Sequence, residues 1–425
     1  MVYFLHAADI HLDSPLKGLG RYGEDAPAEQ IRLATRQALE NLVDLALQEQ
    51  VQFVLLAGDL YDGDWPDFNT GLFFVRQMAR LREASIPVVM IRGNHDAASR
   101  ITRELLLPDN VIVLDDQQPQ TARHPVLEEL GVAVHGQSFA RERVEENLVI
   151  HYPDPVRGRI NIGLLHTALE GHEQHARYAP CTLEQLRHKG YDYWALGHVH
   201  TRQVLQEERP AIVFPGNTQG RHIREPGARG CYLVRLHENG ECQLAFRPLD
   251  CFRWETCELD AAKAKDIEEL LQQFGSRLDQ LQQRHPGFPL AVRVVLRGQT
   301  PLHGRLLAEE EHWRAQFQSV LAQQGEQFWL EKFQVATRQP GQPREQLSDA
   351  VVESVLQSFQ ELEQEEAALQ EVVGELHSLE NKLPGELSLK SQLNNPHYVR
   401  EKLRESLETL LTLLHQEEQQ EEKDT

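Results

Sequence analysis

Short apolar runs recur through the first 250 residues, at positions 2–8, 51–57, 87–91, 132–136, 160–165, 191–196 and 211–214. Each has the length of a buried strand and falls short of a helix. Between the first two lies an amphipathic stretch, 27–50, with Leu39, Leu42, Val43 and Ala46 on one face, as a helix covering a sheet requires. The alternation predicts an α/β core over residues 1–250. From 251 to 338 the pattern changes to strand, helix, strand, helix, strand, at 254–259, 266–283, 290–296, 306–323 and 327–335, with the turn His285-Pro286-Gly287 after the first helix. This is a small α+β cap domain. Pro340-Gly341-Gln342-Pro343 suits neither helix nor strand and marks a linker at 339–347. Beyond it, 348–425 reads as a helical tail with one apolar stripe from Val351 to Leu379 and another from Val399 to Leu414, interrupted at Pro384-Gly385. These helices can pack on each other, form a dimer contact, or offer an apolar seam to a partner.

Composition narrows the class. At 425 residues the chain has room for two or three cores, and 40% hydrophobic with 25% charged residues is ordinary for a water-soluble protein. No apolar run approaches the roughly 18 residues of a membrane span, and the first residues lack the basic start and cleavage site of a secretory signal. A cytoplasmic protein without membrane contact is expected. Five cysteines without a Cys-x-x-Cys pair indicate neither a disulfide framework nor a thiolate zinc site. The net charge of −22 is concentrated at the end: residues 341–425 hold seven Lys and Arg against nineteen Asp and Glu. A phosphate-rich substrate would therefore need metal ions and local basic loops to overcome repulsion.

The chemistry lies at the ends of the predicted strands. Asp9-Ile10-His11, Gly58-Asp59-Leu60-Tyr61-Asp62, Gly93-Asn94-His95-Asp96, His166 and Gly197-His198-Val199-His200 each directly follow an apolar run. Loops at the carboxyl ends of strands can converge without disturbing the sheet. In an extended segment, Asp9 and His11 point the same way and can share one ion; the same can be asked of His198 and His200. Glycines 58, 93 and 197 permit tight turns. Carboxylate, amide oxygen and imidazole together suit manganese, iron or zinc better than calcium. A bridging Asp59 would explain a carboxylate needed beyond the ligands private to each of two ions. Such a pair can activate water and offset charge on the attacking and leaving oxygens of a phosphoester.

Taken in this order across about the first 220 residues, the clusters resemble the calcineurin-like metallophosphoesterase superfamily. Ala8-Asp9-Ile10-His11-Leu12-Asp13 and the cap segment Val292-Arg293-Val294-Val295-Leu296-Arg297-Gly298 are similar to the SbcD-like nuclease subunits of DNA repair complexes, particularly the YhaO-type bacterial members. The resemblance implies a four-layer α-β-β-α sandwich with a cap and a helical tail. It implies that Asp9, His11 and His200 hold one divalent ion and Asn94, His166 and His198 a second, with Asp59 bridging and manganese the expected metal. His95 would contact the scissile phosphate or protonate the leaving oxygen, with Asp96 orienting it. Some relatives carry a histidine where this chain has Asp62. The expected activity is DNA cleavage as an exonuclease or endonuclease, by a homodimer whose tail docks an SMC-like ATPase. The chain has no phosphate-binding loop of its own, so any ATP dependence must come from that partner.

Two competitors remain: a phosphatase or phosphodiesterase for small molecules or phosphoproteins, and a scaffold that metal merely stabilises. His6, His135, His151, His172, His175 and His222 lack the full pattern and are expected in structural or surface roles. Pro215-Gly216-Asn217 falls where a loop near the metals is expected. Arg221, His222, Arg224 and Arg229 form the clearest local basic cluster, either contacting a DNA backbone or simply solvated.

Overall fold

The computed structural model describes residues 1–14, 33–62, 69–98, 105–169, 178–325 and 327–340, together with 359, 398–400 and 406. The expected linker, most of the tail, and His172 and His175 lie outside the described residues.

Two six-stranded sheets stack face to face. The first has the order β12-β11-β1-β2-β3-β4, formed by Val2–Ala7 (β1), Phe53–Ala57 (β2), Val88–Ile91 (β3), Val111–Val113 (β4), Gly230–Leu236 (β11) and Cys242–Pro248 (β12). Its strands β1 to β4 run parallel, while β11 and β12 add an antiparallel pair beside β1. The second sheet, β5-β6-β7-β8-β10-β9, is built from Gln120–Thr121 (β5), Val132–Gly136 (β6), Ile160–His166 (β7), Tyr193–Gly197 (β8), Gln203–Gln206 (β9) and Ala211–Phe214 (β10). Its central strands β6, β7, β8 and β10 are parallel.

A strand buried on both faces reads as continuous apolar sequence, because alternate side chains enter different cores. Phe4, Phe53, Leu55, Val89 and Ile91 face the space between the sheets and meet Val134, Ile162, Leu164, Tyr193 and Val213 from the second sheet. Their neighbours Leu5, Val54, Leu56, Val88 and Met90 face outward and are covered by α1 (Ala34–Gln48) and α2 (Asn69–Glu83) through Leu39, Leu42, Val43, Phe74 and Met78. On the far side, Leu165, Trp194, Leu196, Ile212 and Phe214 are covered by Leu148, Val149, Tyr152 and by Leu186 of α5 (Leu183–His188). The result is the expected four-layer sandwich. Its shorter helices are α3 (Asn94–Ala98) and α4 (Pro125–Glu129).

A third sheet, β13-β14-β15, contains Arg253–Asp260, Leu290–Gln299 and Phe328–Arg338. The helix α6 (Ile267–Arg284) follows its first strand. The single helix expected over 306–323 is two, α7 (His303–Ala308) and α8 (Glu310–Gln324), because Glu309 leaves helical geometry at φ −115° and ψ 29°. Phe274, Phe317 and Phe333 pack as tilted rings, with centroids 5.1 and 5.0 Å apart along the series. By contact the chain divides into one compact unit of Met1–Leu259, Ile267–Leu296 and Glu311–Gln334, and a second of Asp260–Asp266, Arg297–Glu310 and Val335–Thr425. In the second unit, the Thr300 N–H donates to the Arg338 carbonyl at 2.8 Å and His303 Nδ1 meets Thr337 Oγ1 at 2.9 Å.

Candidate metal centre

The parallel strands of both sheets end at one rim, and all seven expected ligands leave from those ends. Asp9 and His11 follow β1, Asp59 follows β2, Asn94 opens α3 after β3, His166 closes β7, and His198 and His200 follow β8. Three sets of ligand atoms lie within 4.8 Å of one another: Asp9, His11 and His200; His11, Asp59 and His95; and Asp59, His166 and His198. His198 and His200 therefore belong to different groups, and Asp59 faces both sides.

The local backbone differs from the expected extended alternation. Asp9, His11 and Asp59 adopt left-handed φ values of 51°, 46° and 48°, and His198 has φ 101°. Such conformations cost non-glycine residues about 1–2 kcal/mol each. They are held by main-chain bonds between adjoining loops: the Asp9, His11 and Leu12 N–H groups donate to the carbonyls of Gly58, Asp59 and Leu60 at 3.1, 3.0 and 2.8 Å. Gly58 does supply a left-handed turn, with φ 89°. Gly93 and Gly197 serve another purpose, close approach: a Cβ would lie 2.2 Å from Asp59 Oδ1 at Gly93 and 1.9 Å from the Ala57 carbonyl at Gly197.

Several acceptors face one another in this pocket. His166 Nδ1 donates to the Ala57 carbonyl at 2.9 Å, and its Nε2 faces Asn94 Oδ1 at 3.0 Å and Asp59 Oδ2 at 3.3 Å. His200 Nδ1 is 2.6 Å from Glu225 Oε1, so its Nε2 lone pair points at His11 Nε2, 3.2 Å away. Buried carboxylate, amide and imidazole groups thus crowd within 3.0–3.3 Å of one another, and this donor set fits divalent metal. Burial pushes the Asp9 carboxyl up to about 6 against the pull of the His200 and His166 charges. For Asp59, burial is outweighed by the His166 charge and hydrogen bond, which hold it at about 2. Burial, with the charges of Arg221 and His200, keeps His11 well below the usual histidine range.

The surroundings were less visible in sequence. Asp96 was expected to orient His95, but the carboxylate hydrogen-bonded to that ring is Asp62, with Oδ1 2.9 Å from His95 Nδ1. Asp96 is buried and accepts the Leu60, Tyr61 and Gly93 N–H groups at 3.1, 2.9 and 3.1 Å, locking the Asp59 loop to the Asn94 loop. The hydrogen bond to Asp62 raises the His95 pKa, and the His95 N–H donates to Asp59 Oδ1 at 2.9 Å. The basic cluster is not one surface patch. Arg229 is buried and donates to the His200 carbonyl, Asn217 Oδ1 and the Pro226 carbonyl, while Arg221 turns inward to Ser14 Oγ at 3.2 Å and Asp62 Oδ2 at 3.4 Å. Glu225 was missed: one acidic residue among Arg221, His222 and Arg224 carries no sequence signal for a histidine partner 25 positions away. His6 and His135 lie in the sandwich interior.

Comparison with known proteins shows the family. Residues 2–202 match the calcineurin-like phosphoesterase family model, and 254–338 match the middle domain of the metallophosphoesterase YhaO. The chain is 38% identical over 298 residues to the uncharacterized metallophosphoesterase YhaO of Bacillus subtilis, covering 70% of this chain and 72% of that protein. The chain is a calcineurin-like metallophosphoesterase of the YhaO kind. More distant similarity reaches proteins named DNA double-strand break repair protein Mre11. It is 28% over 214 residues with that of Sulfurisphaera tokodaii, covering 49% of this chain and 51% of that one. With that of Saccharolobus solfataricus it is 27% over 229 residues, covering 51% and 54%. The family makes the chain a hydrolase of phosphate esters that uses divalent metal, and the acceptor-lined rim is where this YhaO-like protein gathers candidate ligands. Among the described residues, no helix is long and apolar enough to cross a membrane.

Proposed function

We propose that this chain is a two-metal phosphodiesterase that cleaves DNA. The observation that carries the reading is the convergence of Asp9, His11 and His200 on one side of Asp59, and of His166, His198 and Asn94 on the other. Asp9, His11 and His200 would hold one ion, Asn94, His166 and His198 the other, and Asp59 would serve both. When bound, a pair of divalent ions, manganese foremost, supplies water activation and charge neutralisation for phosphoester hydrolysis. The chain's own part is positioning and proton supply. The His95 side chain is 42% exposed at the pocket and within 2.9 Å of Asp62, which stabilises its protonated form. It contacts the scissile phosphate and delivers a proton to the leaving oxygen. Asp62 orients that imidazole, and Asp96 holds the two loops beneath it.

DNA as substrate is supported by the relatives named for double-strand break repair. On this reading the protein works in the cytoplasm as a homodimer, with the segment after residue 348 docking an SMC-like ATPase. The alternative is hydrolysis of small phosphate esters or phosphoproteins, which the same metal chemistry serves. Incubating purified protein and Mn2+ with labelled duplex, labelled single strands and a chromogenic phosphodiester separates the two. DNA cleavage that disappears with chelator and returns with Mn2+ is expected; turnover of the chromogenic ester with no cut strand sinks the nuclease reading.

A further inference from the structure

We propose that Glu225 is a positioning residue of the metal centre, which sets the orientation of His200 and thereby the affinity of one of the two ion sites. The inference rests on the two-metal reading above. A neutral histidine offers a lone pair at only one ring nitrogen, and the hydrogen bond made by the other decides which. His200 Nδ1 donates to Glu225 Oε1 at 2.6 Å, leaving Nε2 toward His11 Nε2 at 3.2 Å. Glu225 is itself held. Its Oε2 accepts from Asn217 Nδ2 and from the Arg221 N–H, both at 2.8 Å, and its side chain is 6% exposed. The His200 backbone is gripped separately, its carbonyl accepting Arg229 Nη1 at 2.5 Å and the Asn217 N–H at 3.3 Å. Ring and backbone are thus fixed by one loop, residues 217–229.

The same loop is tied on its other side to the start of the third sheet. Gln219 Nε2 donates to the Phe252 carbonyl at 3.0 Å, the Cys251 N–H donates to Gln219 Oε1 at 2.9 Å, and Trp254 Nε1 donates to the Gly220 carbonyl at 2.9 Å. The contrast with His166 gives the argument its force. That ring is oriented by the main-chain carbonyl of Ala57, which no side-chain change removes. His200 depends on a carboxylate that substitution can remove. In Glu225→Gln the amide keeps one acceptor, but its NH2 must face the Asn217 or Arg221 donors or the His200 N–H. With the NH2 toward Asn217 and Arg221 both of those donors go unmet and the side chain is displaced; with the NH2 toward His200, Nδ1 must become the acceptor and the proton moves to Nε2, the nitrogen that faces the metal site.

The test is titration of the full chain with Mn2+ alone, by calorimetry and by electron paramagnetic resonance. Wild type is expected to take up two ions. Glu225→Gln should weaken one site about 10–100-fold while leaving the other at the wild-type affinity. Asn94→Ala should weaken the opposite site. Glu225→Asp, which keeps the carboxylate on a shorter arm, should fall between Gln and wild type at the same site, and it carries the test if the Gln protein does not fold. Both sites at wild-type affinity in the folded variants overturns the role of Glu225 and leaves the two-metal reading standing. A wild-type chain that takes up no Mn2+ overturns both.

Discussion

The interior of the sandwich and its rim both contain fully buried histidines, yet they treat them in opposite ways. In the interior, His6 Nδ1 meets the Tyr193 hydroxyl at 3.0 Å and its Nε2 the Leu196 carbonyl at 3.2 Å; His135 is bonded to Thr121 Oγ1 at 2.9 Å and Asn161 Oδ1 at 3.1 Å. Every ring nitrogen ends on a neutral group, and burial drives the His6 pKa down to about 3 and lowers that of His135. At the rim, His166 is equally buried and also spends Nδ1 on a carbonyl, but its Nε2 faces Asp59, whose charge outweighs burial and raises the pKa to about 9. Burial therefore does not separate a structural histidine from a ligand. What separates them is the group at the second nitrogen: each interior ring ends on neutral groups alone, while at the rim a carboxylate or another imidazole stands there, and a bound cation would take the place of the proton shared at that nitrogen.

The sharpest way to break this contrast is to remove one histidine from each region. His95→Ala should lower kcat by about 10²–10⁴-fold, the range of a lost general acid, without changing Mn2+ stoichiometry. His6→Gln should leave kcat of the folded protein unchanged. Steady-state rates on the chromogenic ester with parallel metal titration decide it. Near-wild-type turnover by His95→Ala would remove His95 from the chemistry, and a collapse of turnover in folded His6→Gln would show that the two regions are not separable.

A smaller effect sharpens the same division through glycines. A Cβ at Gly163 in β7 would lie 2.3 Å from the Trp194 ring, within the outer layer of the second sheet, whereas a Cβ at Gly93 would lie 2.2 Å from Asp59 Oδ1. Gly163→Ala overpacks a close-packed core and should destabilise by about 1–3 kcal/mol while the folded fraction still binds Mn2+. Gly93→Ala should weaken Mn2+ binding by displacing the shared aspartate. Urea midpoints and metal titrations measured on both proteins test the pairing; equal metal affinities would show that the Asp59 loop yields without disturbing the ligands.

The two regions also differ in what the sequence discloses. Buried parallel strands announce themselves as apolar runs, so β1, β2, β3, β6, β7, β8 and β10 were legible. β12 was not, because it lies at a sheet edge and its residues are only half-buried, without strict alternation. The break at Glu309 was hidden because neither Gly nor Pro marks it. The candidate ligands were legible as polar clusters at strand ends, since residue type and position coincide there. Their supports were not. Asp62 and Asp96 both follow a motif residue at short range, and only the folded path of the Asp59 loop assigns the first to the His95 ring and the second to main-chain N–H groups. Glu225 reaches His200 from a loop whose sequence resembles a basic surface cluster.

The smallest expected effect tests the interior histidine by its linkage to pH. Burial holds the His6 pKa at about 3 in the folded protein, against an ordinary histidine value of about 6.5. Above that ordinary value both states carry a neutral ring, and His6 imposes no pH dependence. As pH falls below it, the unfolded chain gains a proton that the folded chain refuses, so stability is lost progressively down to the folded value. Between pH 7 and pH 6 this linkage alone removes about 0.7 kcal/mol. His6→Gln replaces the ring with a side chain that does not titrate, so the stability difference between wild type and variant should shrink by that amount over the interval. Urea unfolding of both proteins at the two pH values measures it. If the difference stays constant, protonation of His6 is not resisted by the fold, and the distinction between a closed interior histidine and an open rim histidine loses its energetic basis.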